Sequence, residues 1–303
     1  MGKNNSIIIG CLCALGAEVM YGMSYVFTKQ AAEIAGILPL LGWRFLIAFV
    51  VMSILAALKI IKINLKGKNL KPVIIVALLS PVIYFIGETL GISKTTASES
   101  GVFLACIPVA SLVASTLILR KKPSRRQITG ILITLAGVVF TVFAVGASSS
   151  LSVPGYAFLM IAVISYALYC VFVEKAADFS GAEITYAMLI AGAIVFIALA
   201  IGESMLNDSI NVLVSLPIRD YGFLAAILYQ GVGCSIFAFF CSNIAIEKIG
   251  VNRMASFIGV ATVVSIIAGA TLLHEQFTLW QIIGAVIIIA GVYIANAKEP
   301  KKQ

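Results

Sequence analysis

Ten apolar runs, each about as long as a bilayer-crossing helix, limit what this chain can fold into more than any other feature. A transmembrane helix needs about 20 mostly apolar residues. The runs that meet this length are 7–28, 37–58, 72–93, 98–119, 126–146, 154–173, 183–203, 220–245, 252–273 and 279–297. The longest connection between them is 204–219. The pattern predicts an all-α polytopic membrane protein with ten transmembrane helices.

The composition excludes a water-soluble fold of this length. Only 11% of the 303 residues are charged, against about 25% in an ordinary soluble domain. The mean hydropathy of +1.09 also excludes an intrinsically disordered chain. We therefore attribute the net charge of +8 to membrane topology and contact with lipid headgroups, and expect no nucleic-acid partner.

The basic residues predict the orientation of the helices. Seventeen of the 21 lysines and arginines fall in the segments on the side of the N-terminus, three fall on the other side, and Arg44 lies inside a span. Lysine and arginine accumulate in cytoplasmic loops. We therefore expect both termini in the cytoplasm.

The two halves of the chain resemble each other. A shift of 145 residues aligns six identities in the first helices of the halves, and a shift of 154 aligns seven in the fifth helices. The segment 120–126 is strongly basic, whereas its counterpart 274–280 has no lysine or arginine. Five helices per copy place equivalent loops on opposite sides. The chain thus predicts two inverted five-helix repeats, 7–146 and 154–297, as in secondary transporters.

Short motifs in both halves resemble those of the drug/metabolite transporter superfamily, in its EamA branch. These motifs are Tyr21-Gly22 with Lys29, Pro39 with Arg44, Thr95–Ser98 with Pro108, Gln127-x-x-Gly130 with Gly137, Asn243, His274-Glu275, and Gln281-x-x-Gly284 with Gly291. The chain departs from the family pattern at Arg120-Lys121, where an acidic residue is usual, at Thr262 for proline and at Tyr21 for tryptophan. These departures leave the subfamily and the substrate open.

The resemblance implies a secondary transporter that exports amino acids or related metabolites, in many relatives against a proton gradient. It also implies a multi-pass protein of a prokaryotic plasma membrane that needs no cofactor. Two alternatives stay open, an exporter of cationic drugs or guanidinium-like solutes and an uncoupled facilitator. The sequence lacks nucleotide-binding, metalloprotease and serine-hydrolase motifs, so we expect no enzyme and no metal site. Two linked halves favour a monomer as the functional unit.

Three ionisable residues inside spans are candidates for function, since such groups are costly in a membrane. They are Glu18, Arg44 and Glu88, and their counterparts in the second half are Val163, Leu189 and Ser242. These ionisable residues are therefore confined to the first half of the chain, although the repeat extends over both halves.

Glu18 is the predicted proton-coupling residue. It forms a stripe with Tyr21, Gly22 and Tyr25 at helical spacing, which predicts a polar, aromatic face toward the bundle. Ala17-Glu18-Val19 also resembles the membrane glutamate of small multidrug transporters, where proton and cation compete. The other interpretations are a neutral, hydrogen-bonded structural carboxyl group and a residue that faces the lipid.

Arg44 and Glu88 have two interpretations. They form a structural ion pair between spans two and three, or Arg44 binds a substrate carboxylate while Glu88 binds an ammonium or hydroxyl group. The predicted substrate-binding residues are Glu18, Tyr21, Tyr25, Arg44, Tyr84, Glu88, Tyr166, Tyr229 and Asn243.

The remaining features concern packing. Pro81 and Pro108 predict kinks in spans three and four. The glycines at 130, 137, 284 and 291 predict close contact of spans five and ten. Tyr84, Tyr166, Tyr229 and Asn243 could equally be packing residues or interfacial anchors, and His274 with Glu275 is predicted to lie at a solvated outer helix end. The six cysteines lie in apolar runs, so we expect no disulfides.

Overall fold

The computed structural model describes residues 3–92, 94, 103–104, 106–144, 152–272 and 279–296, and these residues form helices and no strands. The α-helices are α1 (Lys3–Ala35), α2 (Ile37–Ala57), α3 (Lys71–Ala77), α4 (Tyr84–Ile92), α5 (Ile107–Leu119), α6 (Arg125–Ala144), α7 (Val153–Lys175), α8 (Gly181–Leu206), α9 (Ile210–Arg219), α10 (Tyr221–Leu228), α11 (Phe239–Ile249), α12 (Val251–Ser256), α13 (Ile258–Leu272) and α14 (Leu279–Asn296). Two π-helical segments, Leu78–Ile83 and Tyr229–Ala238, join α3 to α4 and α10 to α11.

Seven helical stretches within the described residues are long and apolar enough to cross a membrane. They are Asn5–Thr28, Ile37–Ala57, Lys71–Gly91, Val153–Lys175, Gly181–Leu206, Tyr221–Ile249 and Val251–Gly269. Shorter apolar helices are Ile107–Leu119, Ile210–Arg219 and Ile282–Asn296. The protein is therefore an all-α, multi-pass membrane protein.

The connection 204–219 contains a helix, α9, that the apolar runs of the sequence do not predict. In α9, Leu213 and Leu216 are buried, while Ile218 is 84% exposed. The indole nitrogen of Trp43 at the start of α2 donates a hydrogen bond to the carbonyl oxygen of Leu213 at 3.0 Å. The buried leucines and this bond hold α9 against the bundle.

The predicted kink at Pro81 is confirmed. Ser80 has an extended backbone, with φ −139° and ψ 123°, inside an otherwise helical stretch. Proline lacks an N–H and restricts the residue before it, so it interrupts the helix. The carbonyl oxygen of Leu79 instead accepts a hydrogen bond from Ser165 Oγ on α7 at 2.7 Å.

The predicted kink at Pro108 stays a prediction, because residues 98–102 and 105 of span four lie outside the described residues. Pro108 lies in the first turn of α5, which begins at Ile107 and continues to Leu119 without a kink. Proline costs little there because the first helical N–H groups have no partner within the helix.

The predicted close contact of the fifth and last helices is confirmed. A Cβ atom added to Gly130 on α6 would lie 2.5 Å from the backbone nitrogen of Ala295 and 2.6 Å from the carbonyl oxygen of Gly291, both on α14. One added to Gly137 would lie 2.9 Å from the backbone nitrogen of Ile288. Since higher residue numbers on α6 meet lower numbers on α14, the two helices run antiparallel.

The helix contacts of one half reappear in the other. The first helix, α1, packs against α11 and α13 of the second half, and its counterpart α7 packs against α4 and α5 of the first half. The helices α2 and α8, which also correspond, pack against each other. The π-helical segments match as well, because Leu78–Ile83 shifted by 154 residues falls inside Tyr229–Ala238.

Several basic connections meet at one end of the bundle, which we call the basic end. Lys68 forms an ion pair with Glu183 at 2.8 Å. Lys121 pairs with Glu174, whose Oε2 accepts a hydrogen bond from the backbone N–H of Val251 at 3.0 Å. These contacts tie the loops after α2 and α5 to the second half of the chain.

Candidate functional site

Glu18 lies in the core of the bundle with an unsatisfied carboxyl oxygen. Its side chain is 2% exposed, and its Oε1 atom has no hydrogen-bond partner among the described residues. Glu18 interacts electrostatically with Tyr21, Tyr84 and Tyr166. A buried carboxylate without a donor or counter-charge is costly. A proton on Glu18 or a bound cation would remove this cost.

Arg44 points from α2 to the second π-helical segment. Its Nε atom donates a hydrogen bond to Ser235 Oγ at 2.7 Å, and both side chains are buried. The guanidinium carbon lies 4.9 Å from the ring centroid of Phe85 and 5.4 Å from that of Phe45. The bond to Ser235 and the two aromatic faces together fix the plane of the guanidinium group.

The ion pair between Arg44 and Glu88 is not formed. Both residues are described, and their charged atoms do not approach within 4.0 Å, although the two charges still interact electrostatically. Glu88 Oε1 instead accepts a hydrogen bond from the Tyr84 hydroxyl at 2.7 Å. Since Arg44 is held by Ser235 and Glu88 by Tyr84, the opposite charges are positioned separately.

A row of tyrosines joins the two halves next to these charges. The ring centroids of Tyr84 and Tyr166 are 5.4 Å apart, and those of Tyr166 and Tyr169 are 5.3 Å apart. Tyr84, Tyr166 and Glu88 are only partly buried, whereas Tyr169 is 2% exposed. The row thus forms an aromatic wall whose first members remain accessible.

Tyr21 connects Glu18 to the second half. Its hydroxyl lies 3.5 Å from the hydroxyl of Ser242, the counterpart of Glu88 in the repeat. Its ring centroid is 6.3 Å from that of Phe239. The structure therefore brings Glu18, Tyr21, Arg44, Tyr84, Glu88 and Tyr166 together, and we call these six residues the central cluster.

The other predicted site residues lie elsewhere or are occupied. Tyr229 stacks on Phe27 at 4.3 Å, and its hydroxyl donates to the Met20 carbonyl at 3.1 Å. Asn243 Oδ1 accepts from Tyr169 at 2.8 Å, and its Nδ2 donates to Thr185 at 3.0 Å. Asn243 also borders a cavity of about 290 Å³ beside Glu247. The side chain of Tyr25 lies outside the described residues, as do His274 and Glu275.

Two buried polar residues of the second π-helical segment take part in the site. Ser235 was not predicted, because a serine in an apolar run carries no sequence signal of its own. Gln230 donates from Nε2 to Thr28 and to the Ser24 carbonyl, but its Oε1 has no partner among the described residues. Within the described part of the chain, no three metal-ligating side chains converge, and none of the six cysteines forms a disulfide.

Comparison with known proteins identifies the family. The model of the EamA-like transporter family matches residues 8–143 and again residues 153–297, so both halves are covered. The chain belongs to the EamA-like transporter family. Members are named as membrane transporters and not as enzymes.

Relatives of this EamA-like transporter are similar over nearly their whole length. It is 30% identical to the uncharacterized transporter YcxC of Bacillus subtilis, covering 96% of this chain and 94% of the relative. It is 23% identical to a probable amino-acid metabolite efflux pump of Salmonella typhimurium, covering 93% and 92%. A crystal structure of a 16% identical protein superimposes with a TM-score of 0.77 over 97% of both chains, which supports the fold.

Proposed function

We propose that this protein is a proton-coupled secondary transporter that exports amino acids or related metabolites across the plasma membrane of a prokaryotic cell. The observation that carries the proposal is Glu18, a carboxyl group in the core of the bundle with an oxygen atom that has no hydrogen-bond partner among the described residues. Such a group can bind a proton on one side and release it on the other. The amino-acid efflux pump among the relatives supports this substrate class.

The proposal includes a topology of ten transmembrane helices in two inverted repeats. The antiparallel packing of the corresponding helices α6 and α14 supports the inversion. The meeting of the basic loops at one end supports a cytoplasmic location for that end and for both termini. Because the halves contact each other as two repeats of one chain, a monomer contains a complete pathway.

Proton coupling follows from competition at the central cluster. With the site open to the outside, Glu18 binds a proton. With the site open to the cytoplasm, the proton leaves and solute binds. The inward flow of protons down their gradient thereby drives solute outward.

The test is uptake of external labelled amino acids by proteoliposomes, with and without an imposed proton gradient that is more acidic inside. We expect gradient-driven accumulation by the wild type and loss of it in Glu18→Gln, which removes the titratable group and keeps its size. The matched control is Glu203→Gln, near the end of α8, which should transport normally.

Three outcomes contradict the proposal. Equal flux in Glu18→Gln and wild type would identify a facilitator without coupling. Gradient-driven movement of organic cations, with no movement of amino acids, would identify the cation exporter. Absence of flux by folded protein for every solute of a panel of amino acids, nucleobases and cations would remove the transport proposal.

A further inference from the structure

The separation of Arg44 from Glu88 defines a binding site of its own. Each charged side chain is held by a different partner, Arg44 by Ser235 at 2.7 Å and Glu88 by Tyr84 at 2.7 Å. Two opposite charges that interact without forming an ion pair can each pair with one charge of a solute that carries both signs. A directly bonded ion pair would compete with such a solute.

Arg44 has the geometry of a carboxylate receptor. Its Nε bond to Ser235 is the one hydrogen bond it makes to a described residue, so both Nη atoms remain available as donors. Neither Nη atom belongs to the polar atoms that are fully buried and have no hydrogen-bond partner. A guanidinium fork binds a carboxylate with two parallel hydrogen bonds. Because the Phe85 ring covers one face of the Arg44 guanidinium group, a carboxylate would approach along the edge of that group.

Glu88 has the complementary chemistry. Its Oε1 accepts a hydrogen bond from the Tyr84 hydroxyl, and Glu88 forms no ion pair with a described residue, so its carboxylate can still pair with an ammonium group. The aromatic wall lies beside Glu88 with its members Tyr84 and Tyr166, and Phe85 packs against Tyr84. An apolar side chain fits this wall better than a charged one, because Arg44 and Glu88 already balance the carboxylate and the ammonium group of an α-amino acid.

We infer that the central cluster binds a neutral α-amino acid with an apolar side chain, with the carboxylate on Arg44 and the ammonium on Glu88, and that Ser235 is a positioning residue that aims Arg44 at the carboxylate. This inference rests on the proposed function for its role in transport. In this arrangement the first half of the chain supplies both charged residues, and the second half supplies Ser235, which orients Arg44.

The test is equilibrium binding of labelled leucine and phenylalanine to the purified full-length protein in nanodiscs. Competitors are isopentylamine, which lacks the carboxylate of leucine, and 4-methylpentanoate, which lacks its ammonium. Ser235→Ala should weaken leucine and 4-methylpentanoate binding by about tenfold, the loss expected for a misaligned charged hydrogen bond, and leave isopentylamine unchanged. Ser235→Thr retains the hydroxyl and should restore leucine binding.

Controls separate positioning from folding. Ser115→Ala removes another buried, hydrogen-bonded serine, on α5, and should leave all three affinities unchanged. Thermal unfolding of Ser235→Ala confirms that the variant is folded. Glu88→Gln should give the mirror result, a loss for leucine and isopentylamine with 4-methylpentanoate unchanged.

The inference is overturned if neither leucine nor phenylalanine binds to the wild type, or if Ser235→Ala weakens the amine and the acid equally. The flux experiment is independent of this one. If gradient-driven flux depends on Glu18 but Ser235→Ala weakens binding of the acid and of the amine equally, only this inference fails. If leucine binds as expected but no gradient drives it, the proposed coupling fails and the binding site stands.

Discussion

Tyr84 donates its phenolic hydrogen to Glu88, one helical turn later on α4, at an oxygen–oxygen distance of 2.7 Å. Residues four apart lie on the same helix face, so this bond forms within one helix and does not depend on the other half. It fixes the carboxylate that we expect to bind the ammonium group.

Tyr84→Phe should therefore weaken binding of leucine while the aromatic row remains. Loss of one hydrogen bond to a carboxylate costs about 1 kcal/mol or more, which corresponds to roughly fivefold in affinity. Tyr293→Phe is the control, because Tyr293 lies on the outside of α14, where it is 75% exposed, and is not part of the central cluster. Binding of labelled leucine is the measurement, and equal losses in both variants would contradict a specific role for the Tyr84 hydroxyl.

Gly130→Ala should destabilise the fold. The added methyl group would lie 2.5 Å from the backbone nitrogen of Ala295, and backbone atoms cannot move aside as a flexible side chain can. Overpacking of this kind costs about 1–3 kcal/mol. Gly202→Ala on α8 is the matched control, since nothing lies within 4 Å of its added Cβ. Thermal unfolding in detergent measures both, and a similar midpoint for the two variants would refute the close contact of α6 with α14.

Glu183→Ala should cost more stability than an ordinary surface ion pair. The Glu183 carboxylate accepts hydrogen bonds from Lys68 and from the backbone N–H groups of Asn64 and Ser180, and the side chain is buried. We expect a loss of about 2 kcal/mol, because the change leaves these donors unpaired. Glu247→Ala breaks an exposed pair with Lys248 and should cost less than about 1 kcal/mol. The free energy of unfolding in denaturant decides between them, and equal losses would show that burial adds nothing.

The proposed orientation predicts which side chains can be labelled from outside. Single cysteines at Lys122 and Asn211 lie at exposed positions, the first in the basic loop before α6 and the second on α9. In a cysteine-free background, a membrane-impermeant maleimide added to intact cells should react with Asn211→Cys and spare Lys122→Cys. Both should react after permeabilisation. Labelling of Lys122→Cys in intact cells would reverse the topology.

Features with a local physical cause could be predicted from the sequence. Apolar length predicted the seven described stretches that are long and apolar enough to cross a membrane, and Pro81 predicted the break after α3. Glycines seven residues apart on one helix face gave the contact around Gly130 and Gly291. Each of these depends on neighbours along one helix or on the absence of a side chain.

The partner of Arg44 could not be predicted, because it depends on packing between distant helices. Ser235 is 191 residues away along the chain, in an apolar run where serines have no diagnostic spacing. Depth along the spans suggested Glu88 as the partner, but depth does not determine the direction in which two side chains point. Likewise, the second π-helical segment contains no proline, and no local signal marks it.

Each π-helical segment is bonded to a helix of the opposite half of the chain, Leu79 to Ser165 on α7 and Ser235 to Arg44 on α2. Helices bend more readily at π-helical segments than along a regular α-helix. The two hydrogen bonds therefore fasten each half to the most easily bent part of a helix in the other half. We expect a displacement of either half to reach the other through these two points.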